Sequence, residues 1–325
     1  MVMFKLMPLV GLAVMNASAA TMSDVVKASS FGFDATNATK CLQSAIDSKA
    51  KRIVIDKQDS PWIVDPVFMR SGKEIVLENG VVVEARRGGF LGRNDTLFTF
   101  KNVVDVSIRG EGRAVLKMHK TDYQDAARYL PAEWRHGIGI FNSRNIAISN
   151  LCILSSGGDG LYVANGRKIS FDRLVVSDHH RQGLSLISGD DIKVRNCIFA
   201  LTDGCPPGAG IDLEPNEPRE GLSNILVEDC ILHGNRGYGL DIHIDMLRNS
   251  ASCPFSATFR RCKVYGNHSY AAKLSMGTTD PVKGSLKFED CTFSGNGKSA
   301  LFFRNQYAGH TAISFDRCVF DARGC

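Results

Sequence analysis

The chain has 325 residues, 44% of them apolar and 22% charged, with 39 Lys+Arg against 34 Asp+Glu for a net charge of +5. That composition excludes a disordered or collagen-like chain, and no apolar run reaches the roughly eighteen residues that a membrane span needs. The basic excess is small and unclustered, so nucleic acid is not the expected partner.

Residues 1–19 carry one Lys, an apolar stretch from Leu6 to Met15 and an Ala17-x-Ala19 cleavage pattern. This predicts a signal peptide and a secreted, periplasmic or cell-surface location. Residues 20–52 form an N-terminal segment. In it Asp34 or Thr36 is expected to N-cap a short helix with Ala38, Leu42, Ala45 and Ile46 on one face. Such a helix would plug one end of the strand-rich remainder of the chain. Residues 53–325 open with strand-like runs, for example Lys73–Leu77 and Val103–Ile108, and are then interrupted by a polar, aromatic insertion at 113–134.

From residue 146 a template repeats seven times: apolar-x-apolar-x-x-(Leu/Cys)-x-apolar. It begins with Ile146-Ile148-Leu151-Ile153 and ends with Ile313-Phe315-Cys318-Phe320. Nine residues past most anchors comes Gly or Ala followed by apolar-x-apolar, as in Gly160–Val163, Gly183–Leu186 and Gly239–Ile242. Short period-two strands joined by bends, recurring every few tens of residues, predict an all-β parallel solenoid of right-handed coils. A bend inside the template explains an apolar spacing of three where a straight strand shows two.

Cys197, Cys230, Cys262, Cys291 and Cys318 all occupy the anchor position. They are expected to form a buried thiol column, with Cys acting as a small hydrophobe. No Cys-x-x-Cys occurs, which argues against zinc. Cys205 and Cys253 can pair if the fold brings them together. The chain stops soon after Phe320, before another strand, which suggests a truncated chain or an end covered by a partner.

Stacking converts the repeat into coordinates, because equivalent residues of successive coils lie ~4.8 Å apart. One outward row is Tyr162, Ser185, Asp212, Asp241, Lys273 and Phe302. The next contains Glu214 and His243. Asp212 beside Asp241 is a pair of like charges. One carboxyl should therefore hold its proton unless a cation intervenes, which supplies a proton donor beside a base or nucleophile. Their separation should approach the roughly 5 Å of a retaining glycosidase pair. Asp212, Glu214 and Asp241 are the first candidates for catalysis, with Asp159 and Arg181 beside them. The same three carboxylates are an alternative Ca²⁺ set. Trp134, Arg135, His136, Tyr123, Gln182, His243 and Lys273 are expected to bind substrate.

The stacked repeats, the helix plug and the runs Trp134-Arg-His136, Ser156-Gly-Gly-Asp-Gly160, Arg181-Gln-Gly183 and Gly210-Ile-Asp-Leu-Glu-Pro-Asn216 resemble bacterial right-handed parallel β-helix proteins of the pectate-lyase-like superfamily. The resemblance implies a polysaccharide groove along one outer face. It does not choose among lyases, hydrolases, epimerases and non-catalytic binders. Neither the polygalacturonase signature nor the standard calcium-dependent pectate lyase pattern is evident. The expected function is cleavage of glycosidic bonds in a polysaccharide, with hydrolysis by a carboxylate pair preferred. The alternatives are elimination or uronate epimerisation on an acidic polymer with Arg, Lys or His and a bound cation, and a carbohydrate-binding module without catalysis. The sequence leaves the oligomeric state open.

Overall fold

The computed structural model describes residues 24–247, 255–276, 282–304 and 311–320. The expected signal peptide, Cys253 and the last five residues lie outside that range.

The apolar template folds as a stack of parallel coils with three strands each, such as Gly189–Arg195, Ile198–Ala200 and Ile211–Leu213. The short middle strands, from Trp62–Val64 to Val319–Phe320, stack into one ten-stranded parallel sheet. The first and third strands of each coil form the other two walls. These walls merge where Ile138–Ser149 and Leu161–Asp172 run through as twelve-residue strands. Register follows the repeat: Ile169, Ile192, Ile225 and Ala257 stack in one file, and Phe171, Val194, Val227 and Phe259 in the next.

The bend has one cause throughout. The residue before each anchor (Asn150, Arg173, Asn196, Asp229, Arg261, Asp290 and Arg317) is left-handed, with φ between 48° and 55°. That turns the chain by one corner and returns the next side chain to the core. Asn and Asp tolerate this conformation. Arg bears a steric cost there, which stacking of the coils must offset. The small residue of the second half-repeat is equally constrained. A Cβ on Gly183 would sit 2.5 Å from the carbonyl oxygen of Gly210 in the next coil. The later coils, where this row holds Ala271 and Ala300, accept the methyl group.

The anchor cysteines form the expected column. Cys197, Cys230, Cys262 and Cys291 are buried, and each thiol donates to a backbone carbonyl two residues earlier. The thiol of Cys197 in the preceding coil pushes Cys230 well above the ordinary range, so Cys230 stays protonated and unreactive.

The helix spans Thr39–Asp47 and buries Cys41, Leu42, Ala45 and Ile46 against the first coils. Its cap differs from expectation. Asp34 instead closes a turn onto the Thr36 N–H at 2.8 Å, and Asn37 Oδ1 accepts the Thr39 N–H at 3.1 Å. An Asx residue two positions before the first free N–H reaches it, whereas Asp34 is too far upstream. Gln43 then seals the edge strand Val67–Phe68, bonding both the N–H and the carbonyl of Phe68. The insertion is also shorter than expected. Val115–Lys117 is a regular rung of the middle sheet, and the excursion begins after it. Among the described residues no helix is long and apolar enough to cross a membrane.

Candidate active site

The third strands of successive coils are Leu184–Leu186, Ile211–Leu213, Leu240–His243 and Ala272–Ser275. They bring Ser185, Asp212, Asp241 and Lys273 into direct register, as the repeat predicts, with Tyr162 one coil earlier and Phe302 one later. What differs is exposure. This row was expected to face solvent, yet Ser185, Asp212 and Asp241 are 0%, 1% and 2% exposed. Arg181, Gln182, Glu214 and His243 surround them, so the carboxylates lie at the bottom of a polar cluster.

Burial splits the carboxyls into two kinds. Asp212 Oδ2 accepts a hydrogen bond from Gln182 Nε2 at 2.9 Å, while Oδ1 has no partner. Burial first, then the charges of Glu214 and Asp241, push its carboxyl well above the usual range. Burial likewise raises Asp159, to about 7; its Oδ1 accepts the Gln182 backbone N–H at 3.1 Å. Glu214 is the opposite case. Burial pushes it up, but His243, Arg181 and Asp212 together outweigh burial and hold it below the ordinary value. Arg181 Nη2 stands 2.7 Å from Glu214 Oε2, and His243 Nδ1 stands 3.9 Å from Oε1. Asp241 is matched by Lys273, whose Nζ is 2.8 Å from Oδ2. Burial still leaves Asp241 above the ordinary carboxyl value.

Arg181 is the hub. It reaches Glu214 and lies 3.8 Å from both Glu133 and Asp159. His136 is buried, and its Nδ1 accepts the Asp159 N–H at 3.1 Å, so that nitrogen carries no proton. Burial and the Arg181 charge drop the imidazole to about 3, which makes it a neutral group. Its ring stacks on Tyr162 with centroids 4.5 Å apart.

Three residues expected at the substrate do not face it. Gln182 is wholly buried, with both ends of its side chain bonded to Asp212 and Ala209. Tyr123 is buried and packs edge-on against Tyr129, 5.2 Å between centroids. The guanidinium of Arg135 lies over both rings and donates to the carbonyls of Phe90 and Leu130. Together they hold the insertion onto the coils. A wholly buried Arg needs that set of acceptors and cannot leave it for a ligand. Trp134, by contrast, is 40% exposed. It shares a cleft of ≈ 850 Å³ with Phe68, His136, Phe141 and Tyr162. A second, polar cleft of ≈ 730 Å³ contains Arg167, Asp190, Arg219 and Glu220 and meets the first at Asn142.

Sequence reasoning missed Glu133, which faces Arg181 and also accepts the Cys205 thiol proton at 2.9 Å. Its neighbour Trp134 was the only available signal. It also missed Phe68 and Phe141, which belong to coils before the seven-fold repeat. The Ca²⁺ reading does not fit. Among the described residues no three His, Cys, Asp or Glu side chains are arranged to hold a metal ion. Glu214 and Asp241 already have Arg181 and Lys273 as counter-ions, which leaves no cation deficit for a metal to fill.

Residues 99–246 match the family described as right handed beta helix region. No curated protein matches the chain in sequence. Among solved structures, the chain is similar to a 1,3-α-1,4-β-D-galactose-4-sulfate-3,6-anhydro-D-galactose-2-sulfate 4 galactohydrolase, with 14% identity, TM-score 0.62 and coverage of 91% of this chain and 87% of that one. It is similar to a polygalacturonase from Erwinia carotovora, with 11% identity, TM-score 0.55 and coverage of 90% and 96%. It is also similar to the A-module of a mannuronan C-5 epimerase from Azotobacter vinelandii, with 12% identity, TM-score 0.55 and coverage of 85% and 80%. The chain therefore has the right-handed parallel β-helix fold. Identities this low speak for the fold alone, and the reaction must be argued from the cluster.

Proposed function

We propose that this is an exported, carbohydrate-active protein that hydrolyses glycosidic bonds of a polysaccharide. One observation carries the reading: Asp212 and Glu214, two residues apart on neighbouring rows, sit in environments that drive their ionisation in opposite directions. That division supplies an acid and a base from identical chemistry at one pH. Asp212 gives its proton to the leaving glycosidic oxygen. Ionised Glu214 either activates the water that adds to the anomeric carbon or attacks that carbon itself. Arg181 keeps Glu214 ionised, and Lys273 neutralises Asp241 so that the acid is not repelled further. Trp134, Phe68 and Tyr162 offer flat apolar faces to sugar rings entering along the cleft. The polysaccharide substrates in the names of the galactohydrolase and the polygalacturonase support the substrate class. The pattern in residues 1–19 supports export.

A second reading draws on a specific feature. Arg181, Lys273 and His243, the last held above its ordinary value chiefly by Glu214, place three cationic groups in the cluster. They would neutralise a uronate carboxylate during elimination or epimerisation. Products decide between the two. Polygalacturonate, alginate and ι-carrageenan are incubated with the protein, with and without chelator, and read by mass and ultraviolet absorbance. A new saturated reducing end, lost in Asp212→Asn, supports hydrolysis. An unsaturated absorbing end or inverted uronate stereochemistry supports the second reading. Tight binding without products would make the chain a binding module.

A further inference from the structure

Gln182 is wholly buried, and it joins the two raised carboxyls without being able to ionise. Its backbone N–H donates to Asp159 Oδ1 at 3.1 Å. Its side-chain oxygen accepts the Ala209 backbone N–H at 3.1 Å, and its Nε2 donates to Asp212 Oδ2 at 2.9 Å. The two ends of an amide look alike in shape, but here chemistry orients them. A backbone N–H can only donate, so the atom facing Ala209 must be oxygen, and the atom facing Asp212 must be the NH₂. An NH₂ can only donate as well. A proton on Asp212 Oδ2 would oppose it head-on, so the acid proton has to reside on Oδ1. That oxygen is the one left without a hydrogen-bond partner.

We propose that Gln182 is a positioning residue that holds Oδ2 of Asp212 and thereby fixes its proton on Oδ1, the atom from which it is given up. The fix comes from the coil stack itself. Ala209 ends the loop that contains Pro206-Pro207, and Gln182 precedes the strand one coil earlier. Sliding of either coil would release the amide and let the carboxyl rotate. The charges acting on Asp212 are Glu214, Asp241, Arg181 and Asp159, and all of them remain when Gln182 is altered. The inference rests on Asp212 as the acid, so its test has one arm that needs no substrate.

In that arm the protein is labelled with ¹³C-carboxyl aspartate and titrated by NMR, with Asp212→Asn assigning the signal. The donor on Oδ2 favours the carboxylate. In Gln182→Met, which keeps the length and loses both polar ends, the Asp212 midpoint should therefore rise. In Gln182→Glu the oxygen facing Ala209 is kept and a proton can still reach Asp212 when the new acid is neutral, so the wild-type state should return on the acid side. In the second arm, on whichever of the three glycans is cleaved, Gln182→Met should lower kcat about 10- to 100-fold with KM nearly unchanged, since orientation alone is lost. Its alkaline limb should move upward, and Gln182→Glu should regain rate only at low pH. A folded Gln182→Met with the wild-type midpoint and kcat overturns the inference. If Gln182→Met does not fold, Gln182→Glu decides: a flat, wild-type pH response overturns the proposal, and acid-side recovery supports it. Turnover retained in Asp212→Asn overturns the hydrolytic reading instead, while a shifted midpoint in the first arm would still stand.

Discussion

Two stacks of polar side chains run through the same coils, and they are built on opposite principles. On one wall Asn235, Asn267 and Asn296 form a ladder: the first two donate from Nδ2 to the next Oδ1 at 2.8 and 2.9 Å, Asn296 Nδ2 donates to the carbonyls of Val264 and Ser294, and each Oδ1 accepts the backbone N–H of the preceding coil. Thr202 starts it by donating to Asn235 Oδ1. On the other wall the row Ser185, Asp212, Asp241, Lys273, with Asp159 beside it, is as deeply buried. Yet Ser185 Oγ, Asp212 Oδ1 and Asp159 Oδ2 have no hydrogen-bond partner. An amide stacked on an amide satisfies itself at every level, so the ladder only adds stability. Carboxylates stacked on one another cannot. They remain there at a cost in stability, which is how sites that act on a ligand differ from sites that hold a fold.

The sharpest way to break the comparison is Asp212→Asn, which makes the second wall resemble the first. Turnover should fall about 10³-fold. The folded-state pKa of Asp212 lies above its unfolded value, so its ionisation costs stability as pH rises. The variant should therefore melt no lower than the wild type at pH 8, by calorimetry. Next is Lys273→Met, which strips the counter-ion from a buried Asp241. It should cost about 3 kcal/mol in denaturant unfolding at pH 8. Asp241 then gains a proton as pH falls, so the deficit should shrink in acid. Asn267→Leu breaks the ladder in its middle, taking the acceptor from the backbone N–H of Asn235 and a donor from the carbonyl of Leu232. It should cost about 2 kcal/mol and leave the rate of the folded enzyme unchanged. The smallest effect belongs to the rim. Trp134→Ala should weaken glycan binding about fivefold, on the scale of one aromatic contact. Since Trp62 is buried, quenching of fluorescence by glycan should disappear in this variant.

Much of this was legible in the chain itself. The seven-fold template named the solenoid, and counting from Gly160 or Gly183 put Asp212 beside Asp241 and Glu214 beside His243. A strict repeat makes sequence position equivalent to spatial position. Reading failed where the repeat was interrupted. Tyr123 and Arg135 were aromatic and basic in an irregular segment, which suits a sugar equally well as an anchored loop. Only the acceptor carbonyls of Phe90 and Leu130 separate the two. Glu133 sat in the same segment with no register to place it.

Sequence determined the order and facing of the rungs, because a period of two and a left-handed corner are local properties of the backbone. It could not determine depth. Whether Asp212 meets water or Gln182, and hence which carboxyl keeps its proton, depends on loops that close over the row from other coils. Ionisation follows the surroundings of a group in space, and those exist only after the coils have stacked.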